Sequence, residues 1–198
     1  MREFGSEFST TFIENNYSDF FAINNADVKF LRSGRDAIGF VVDELIDDGN
    51  NTILIPAYCC SAMREPFEIR NWKVVYYPLN YDLTPDEKAL NKLLREYNPK
   101  ALFIMVYYGI VNNSPLIQSV KVLYPDMVII EDFTHALFAL PNKYDPNVDY
   151  YICSIRKWAG LPDGAIAIST KKAFNTEPVF VENDFVKLRR KALKLKQE

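Results

Sequence analysis

The sequence predicts an α/β protein with three layers, in which helices cover both faces of a mostly parallel sheet. Short and almost uninterrupted apolar runs such as ILIP, ALFIM and VII are typical of strands buried on both faces. Segments with apolar residues at helical spacing alternate with these runs, as the crossovers of a parallel sheet require. The length of 198 residues is enough for one sizeable core, and the sequence therefore predicts one main α/β unit.

The composition of the chain argues against several classes of binding partner. The net charge of -3 and the isoelectric point near 5.3 give no general basic field for nucleic acid or an anionic membrane. No apolar run approaches transmembrane length, and no signal-peptide pattern opens the chain. Three cysteines, of which Cys59 and Cys60 are adjacent, match neither a disulfide framework nor a zinc-ligand pattern. These features predict a reduced, cytoplasmic protein that binds no nucleic acid, membrane or metal.

The first half of the chain is predicted to alternate strands and helices. VKFL is a strand, and the turn SGR leads into a helix over residues 36–46, for which Gly49 is a plausible C-terminal stop. NTILIPAY is a short buried strand that ends at Pro56. Residues 63–69 have helical spacing, and WKVVYYPL is the next strand.

The second half continues the alternation. The motif TPDE predicts a helix start with Thr84 as cap, Pro85 at the first helical position and Glu87 closing a capping box, and the helix runs toward Tyr97. SPLIQSVKVLYP predicts a shorter helix that stops before Pro125. KALFIMVYYG, MVIIED, YYICSI and AIAIS are the remaining predicted strands.

Polar residues concentrate where the predicted strands end. Ligands of open parallel sheets bind at the carboxyl ends of the strands, and SGR, AYCC, YYG, EDFTH and SIRK all follow predicted strands. EDFTH contains Asp132 and the only histidine, His135, and SIRK contains Lys157. A lysine between two buried strands is either solvated in a loop or held in a pocket for its amine. Asp132 and His135, taken alone, are equally explained as a capping carboxylate and a satisfied histidine.

The sequence does not contain the motifs of several other kinds of functional site. A metal site at His135 would need further ligands, and the chain has no second histidine. No G-x-S-x-G elbow supports a Ser-His-Asp hydrolase. Nothing matches G-x-G-x-x-G after the first strand, so a dinucleotide site is not supported either.

The order of the polar groups along the chain predicts a pyridoxal phosphate site. This cofactor needs an amine that holds its aldehyde as a Schiff base, a carboxylate that keeps its pyridine nitrogen protonated, and a phosphate cradle. Lys157 is the candidate amine and Asp132 the candidate carboxylate. A Ser-Gly turn before a helix offers free backbone N–H groups to phosphate. The predicted cradle consists of Ser33, Gly34, Arg35 and Ser154.

Five segments in chain order resemble the large domain of the DegT/StrS family of sugar aminotransferases, which are pyridoxal phosphate enzymes of fold type I. They are SGRDAIGFVVDEL, ILIPAYCCSAM, IMVYYGIV, VIIEDFTHAL and SIRKWAGLPDGAIAI, and they span about residues 29–169. The resemblance implies that Lys157 carries the cofactor and moves the proton between substrate and cofactor. It also implies that Asp132 pairs with the pyridinium nitrogen, that His135 lies near the ring oxygen or phosphate, and that Gly34 holds the phosphate.

Two departures from the family pattern bear on the site. The aromatic residue that stacks on the cofactor ring in the family falls on Cys60, which leaves Tyr58 as the candidate for stacking. The spacing between Ser154 and Lys157 is shorter than in typical members. Because a guanidinium suits a phosphate, this shorter spacing favours Arg156 as a competing phosphate ligand.

The resemblance implies three parts of the chain. Residues 1–28 are an N-terminal arm whose opening MREFGSEF could include a cloning remnant. Residues 29–170 are the large domain that binds pyridoxal phosphate. Residues 171–198 are a C-terminal extension or the start of a second, small domain, most of which is then missing relative to the family.

The implied activity is transamination. Glutamate or glutamine would donate the amino group, and a keto sugar, attached to a nucleotide, would receive it in polysaccharide or sugar-antibiotic biosynthesis. The family also implies a homodimer. Three alternatives remain open: a catalytically idle remnant that binds the cofactor or only forms an interface, a sugar-modifying enzyme such as a dehydratase on the same scaffold, and a nucleotide-binding domain without the cofactor. Lys157 argues against the dehydratase, because that branch carries histidine in its place.

Overall fold

The computed structural model describes residues 26–47, 49–142, 144–180 and 184–195. The strands are β1 (Asp27–Leu31), β2 (Thr52–Pro56), β3 (Lys73–Tyr77), β4 (Ala101–Met105), β5 (Val128–Asp132), β6 (Tyr150–Cys153) and β7 (Ala165–Ser169). The helices are α1 (Gly34–Leu45), α2 (Ser61–Glu68), α3 (Glu87–Tyr97), α4 (Ser114–Leu123) and α5 (Asp184–Leu195). Short 3₁₀ turns cover Tyr107–Gly109, Leu137–Asn142 and Ile155–Lys157.

The strands form a seven-stranded sheet in the order β1-β7-β6-β5-β4-β2-β3. β7 is antiparallel to both of its neighbours, and the other strand pairs are parallel. All strands except β7 therefore point the same way, and their carboxyl ends meet at one edge of the sheet. In the register of the sheet, Asp132 at the end of β5 lies between Met105 of β4 and Ile152 of β6. The predicted mostly parallel sheet is confirmed.

Both faces of the sheet are covered, because successive strand residues point to opposite sides. In β4, Phe103 and Met105 pack into a core cluster with residues of α1 and α2. Leu102 and Ile104 of the same strand pack into a second cluster with residues of α3 and α4. This two-sided burial explains why the strand reads as an unbroken apolar run, and it confirms the predicted three-layer architecture.

The first helix begins earlier and ends earlier than predicted. Ser33 is its N-cap, since the Ser33 hydroxyl accepts a hydrogen bond from the Asp36 N–H at 3.2 Å. The predicted stop at Gly49 is wrong, because α1 ends at Leu45 and Ile46 already has an extended backbone. The Gly49 N–H instead donates to the Asp47 carboxylate at 2.8 Å in the following turn.

The start of α3 also differs from the prediction. Thr84 is not the cap, because its N–H and its hydroxyl both donate to the Asp82 carboxylate, at 3.0 and 2.6 Å, and hold it in the preceding turn. Asp86 caps the helix instead and accepts a hydrogen bond from the Ala89 N–H at 3.0 Å. Pro85 lies outside the helix in an isolated bridge to Leu79. The competing Asp82 turn is local, so the four-residue motif alone does not show it.

The predicted division of the chain at residues 28 and 170 stays a prediction. Most of the proposed N-terminal arm, residues 1–25, lies outside the described residues, and β1 already begins at Asp27. After β7, Phe174 is buried and its ring lies 5.0 Å from the ring of Phe40 on α1. None of the helices in the described part of the chain has the length and apolar character needed to cross a membrane.

Candidate functional site

A cavity of about 370 Å³ opens at the edge of the sheet where the parallel strands end. The structure brings all ten predicted site residues to its walls. They are Ser33, Gly34, Arg35, Tyr58, Cys60, Asp132, His135, Ser154, Arg156 and Lys157. These residues come from four separate segments of the sequence, and the parallel register of the strands gathers them at one place.

The N-terminus of α1 forms one wall of the cavity. The side chain of Ser33 caps the Asp36 N–H, which leaves the N–H groups of Gly34 and Arg35 in the first turn without an intrahelical acceptor. A Cβ atom added to Gly34 would lie 3.3 Å from the Cβ of Ser154, so the backbone here passes close to the end of β6. Free N–H groups and the positive end of the helix dipole make this wall suitable for an anion.

Replacing Gly34 with alanine is expected to weaken the binding of a phosphate-bearing ligand about tenfold, the equivalent of one charge-assisted hydrogen bond. The new methyl group would push on Ser154 and fill the space at the helix N-terminus. The measurement is a titration of the protein with pyridoxal phosphate followed by absorbance. Gly39→Ala on the same helix is the matched control, because its Cβ would meet the flexible end of Arg70. Equal affinity in both variants would remove Gly34 from the phosphate site.

The turn after β6 carries the two cationic side chains of the site. The Arg156 N–H donates to the Gly164 carbonyl at 3.2 Å, and the Gly164 N–H donates to the Arg32 carbonyl at 2.6 Å, which ties this turn to the end of β1. Neither Arg156 nor Lys157 forms an ion pair with a described residue. Arg35, in contrast, pairs with Glu65 at 3.1 Å. Arg156 is thus the guanidinium in the cavity that is available to an anionic ligand.

The carboxylate of Asp132 is buried at the floor of the cavity, with 3% of the residue exposed. Its Oδ1 accepts a hydrogen bond from the Thr134 N–H at 2.7 Å. Burial raises the pKa of Asp132 above its ordinary value, while hydrogen bonds from Thr134 and the positive charge of Lys157 act in the opposite direction. A cationic group in the cavity would stabilise this carboxylate.

The imidazole of His135 lines the cavity. Burial, and then the positive charge of Lys157, lower the pKa of His135. Its Nδ1 is buried and has no hydrogen-bond partner among the residues that the structure describes. The ring of Tyr108 stacks on the imidazole at 5.0 Å with an angle of 19° between the planes. The imidazole is therefore held in one orientation while one of its nitrogens is free for a ligand.

Tyr107 and Tyr108 were not among the site residues predicted from the sequence, although YYG marks a strand end. The hydroxyl of Tyr107, which lines the cavity, donates to the Tyr58 carbonyl. Tyr108 has a left-handed backbone with φ of 51°, an uncommon conformation for a residue other than glycine that directs its ring onto His135. Tyr58 is 58% exposed and Cys60, at the start of α2, is also exposed. Nothing in the local sequence predicts the turn of the backbone at Tyr108.

Thr134 is a polar wall residue that was not among the site residues predicted from the sequence. It lies between Asp132 and His135, is buried, and lines the cavity.

Among the described residues there is no cluster of three or more histidine, cysteine, aspartate or glutamate side chains that could hold a metal ion.

The mostly parallel sheet with helices on both faces gives this chain a fold similar to that of solved pyridoxal phosphate enzymes. NtdA from Bacillus subtilis, solved with bound cofactor PMP, matches with a TM-score of 0.62 and 18% identity over 85% of this chain and 45% of its own. DesV from S. venezuelae, solved in complex with a ketimine intermediate, matches with a TM-score of 0.62 and 14% identity over 85% of this chain and 53% of its own.

A third solved structure, ureidoglycine-glyoxylate aminotransferase from Bacillus subtilis, matches with a TM-score of 0.57 and 14% identity over 89% of this chain and 43% of its own. At these identities the likeness shows the fold. The chain spans about half the length of the structures that it matches. No protein-family model and no curated protein sequence matches the chain.

Proposed function

We propose that this chain is the cofactor-binding domain of a pyridoxal phosphate-dependent aminotransferase that acts on a keto sugar attached to a nucleotide. The observation that carries the proposal is the common cavity. An amine, a buried carboxylate and a helix N-terminus, each inferred from a different segment of the sequence, line the same 370 Å³ space. The likeness in fold to NtdA with its bound PMP and to an aminotransferase supports the same class of chemistry.

Three features of the cavity fit the cofactor. The buried Asp132 carboxylate lacks a full counter-charge, which a protonated pyridine nitrogen would supply. The buried Nδ1 of His135 has no described partner, and the hydroxyl of the cofactor ring would supply one. Gly34 and Arg35 line the cavity at the N-terminus of α1, where the first backbone N–H groups lack intrahelical acceptors and suit a phosphate.

When bound, pyridoxal phosphate accepts the electrons released at the substrate carbon. Lys157 would hold the cofactor aldehyde and then move the proton to and from that carbon, a contribution of roughly 10² to 10⁴ in rate. Asp132 would keep the pyridine nitrogen protonated, and His135 would orient the ring through its hydroxyl. Gly34, Arg35 and Arg156 would hold the phosphate, the first two through their backbone N–H groups.

The donor and the assembly follow from the same proposal. Glutamate or glutamine would supply the amino group, and a homodimer would be the working unit. Tyr58 and Lys157 are both exposed at the mouth of the cavity, where a second chain would exclude water. Sedimentation equilibrium of the purified protein tests the dimer, and a monomer at enzyme-assay concentration would contradict it.

One observation favours a second candidate, a catalytically idle domain that binds the cofactor or only forms an interface. Cys60, an exposed cysteine, occupies the position at which the family carries the stacking aromatic residue. Without a stacked ring the cofactor would be held less firmly. The two candidates differ in turnover, since only the aminotransferase would convert a keto sugar nucleotide to an amino sugar.

The test of the proposal begins with the absorbance spectrum of the protein after addition of pyridoxal phosphate. Borohydride reduction then fixes the cofactor to its lysine, and peptide mapping identifies that residue. We expect a visible absorbance band and a label on Lys157. Absence of band and label would overturn the proposal, whereas a label without turnover of any keto sugar nucleotide would favour the idle domain.

A further inference from the structure

The imidazole of His135 contacts two tyrosine rings that come from one turn. Tyr107 and Tyr108 belong to the short 3₁₀ turn that follows β4. The ring of Tyr108 stacks on the imidazole, with the ring centroids 5.0 Å apart and an angle of 19° between the planes. The ring of Tyr107 meets the imidazole edge-on, at 6.3 Å and 61°. One tyrosine covers a face of the imidazole and the other contacts it at a steep angle, so the pair restricts rotation of the imidazole.

The backbone that carries Tyr108 has an uncommon conformation. Tyr108 has a φ of 51° and the next residue, Gly109, has a φ of 75°, so two consecutive residues lie in the left-handed region. Glycine adopts this region freely, whereas the Cβ atom of any other residue crowds its own backbone there. Strained residues persist where the surrounding structure holds them, and they are concentrated at functional sites. In this fold the strain accompanies the stacking of Tyr108 on His135.

The turn is fixed against the segment after β5, which also carries His135. The Val106 N–H donates to the Asp132 carbonyl at 3.0 Å and joins the start of the turn to the end of β5. A Cβ atom added to Gly109 would lie 3.7 Å from the Cβ of Ala136, the residue after His135. Because the turn meets this segment at two points, the tyrosine rings and the imidazole have a defined relative position.

Tyr108 lies outside the wall of the cavity. His135 lines the cavity, whereas Tyr108 is not among the described residues that line it, and 58% of Tyr108 is exposed. A ring that is more than half exposed gains little from burial, so burial alone does not account for a strained residue at this position. A ligand in the cavity would contact His135, and Tyr108 would act on that ligand through the imidazole.

We propose that Tyr108 is a positioning residue that holds the imidazole of His135 in the orientation in which it meets the cofactor. The inference rests on the proposed function, in which His135 orients the ring of pyridoxal phosphate through its hydroxyl. The alternative is that the Tyr108 ring only covers the edge of the fold. In that case removal of the ring would leave both the imidazole and the affinity for the cofactor unchanged.

Two substitutions of Tyr108 separate these roles. Tyr108→Asn removes the ring and places in the turn a residue that is enriched in the left-handed region. Tyr108→Phe is the conservative variant, which keeps the ring and removes the hydroxyl. Tyr81→Asn is the matched control, because Tyr81 is a fully exposed tyrosine outside the cavity wall. Both tyrosines are exposed, so all three variants are expected to fold, and urea unfolding checks this.

The first measurement observes the imidazole directly and needs no cofactor. His135 is the only histidine in the chain, so tag-free protein labelled with carbon-13 in the histidine ring gives one set of imidazole signals by NMR. A tyrosine ring stacked on the imidazole shifts these signals upfield through its ring current. The spectra are compared at about pH 8.5, where a histidine is neutral.

We expect Tyr108→Asn to move the imidazole signals toward the positions of free histidine. Tyr108→Phe and Tyr81→Asn should keep the wild-type positions, because the stacked ring is still present in both. Signals that do not move in Tyr108→Asn would contradict the stacking and overturn the inference.

The second measurement is a titration of each variant with pyridoxal phosphate, followed by absorbance. We expect Tyr108→Asn to bind about three- to tenfold more weakly, the range that corresponds to the loss of one aromatic pair. Tyr108→Phe and Tyr81→Asn should bind with wild-type affinity. A loss in Tyr108→Phe as large as that in Tyr108→Asn would assign the effect to the hydroxyl and overturn the role of the ring.

A double-mutant cycle tests whether Tyr108 acts through His135. His135→Ala removes the imidazole and is expected to weaken binding of pyridoxal phosphate about tenfold, the effect of one hydrogen bond. When the imidazole is absent, the addition of Tyr108→Asn should weaken binding by less than about twofold more, because coupled residues are not additive. If the two losses multiply as independent effects, Tyr108 acts by another route and the inference is overturned.

Failure of this inference and failure of the proposed function give different results. If wild-type protein takes up no pyridoxal phosphate, the proposed function fails and the role of Tyr108 toward the cofactor fails with it. The NMR signals then still decide whether Tyr108 orients the imidazole. If wild-type protein binds the cofactor and Tyr108→Asn binds it equally well, the proposed function stands and the role of Tyr108 falls.

Discussion

Replacing Lys157 with alanine is expected to abolish transamination and the covalent attachment of pyridoxal phosphate. Among the described residues that line the cavity, Lys157 is the one lysine, and its amine is the candidate to hold the aldehyde. Loss of the general base alone is worth a factor of roughly 10² to 10⁴ in rate, and loss of the covalent link adds to it. Turnover of a keto sugar nucleotide and borohydride labelling are the two readouts.

The fold of this variant should remain intact. Lys157 is exposed and forms no ion pair with a described residue, and surface substitutions of this kind change stability by about 0.5 kcal/mol or less. Lys88→Ala is the matched control, because Lys88 is an exposed lysine on α3 outside the cavity. The assignment would be contradicted if Lys157→Ala kept its transamination rate, or if the label in wild-type protein mapped to another lysine.

Replacing Asp132 with asparagine is expected to lower turnover by about 10² to 10³, the size of effect produced by removing one preorganised electrostatic group from an active site. The amide is close in shape to the carboxylate and can still accept the Thr134 N–H bond. It cannot, however, stabilise a protonated pyridine nitrogen. Turnover together with the affinity for pyridoxal phosphate measures the loss, and a variant with wild-type turnover would remove Asp132 from the mechanism.

The same substitution should stabilise the protein without cofactor at neutral pH. Burial raises the pKa of Asp132, so the ionised group lowers the stability of the fold above that pKa, and the penalty is lost as the pH falls through it. The gain from Asp132→Asn should therefore be present at neutral pH and shrink toward acid pH. Urea unfolding at several pH values tests this, and a gain that increased toward acid pH would contradict the burial argument. A group that costs stability yet lines a cavity is typical of a functional site.

Much of the fold follows from local patterns. The apolar runs predict most directly the central strands that are buried on both faces, such as β4. The helices follow from apolar spacing. Their ends are less certain, since Thr84 and Asp86 compete as caps and the choice depends on the nearby Asp82. Polar residues at strand ends also indicate where a ligand site would form.

The sequence alone determined the α/β class of the fold. It also determined the chemical groups of the candidate site, which are an amine, a carboxylate and a glycine turn before a helix. Their fine arrangement depends on contacts between segments far apart in the chain. The stacking of Tyr108 on His135 accompanies a left-handed backbone at Tyr108, and the hydrogen bonds of Thr134 to Ser154 and Trp158 join segments some 20 residues apart. The spacing of apolar residues indicates which side of a helix or strand is buried. Hydrogen bonds between elements depend on the register of the assembled sheet, so only the folded structure shows them.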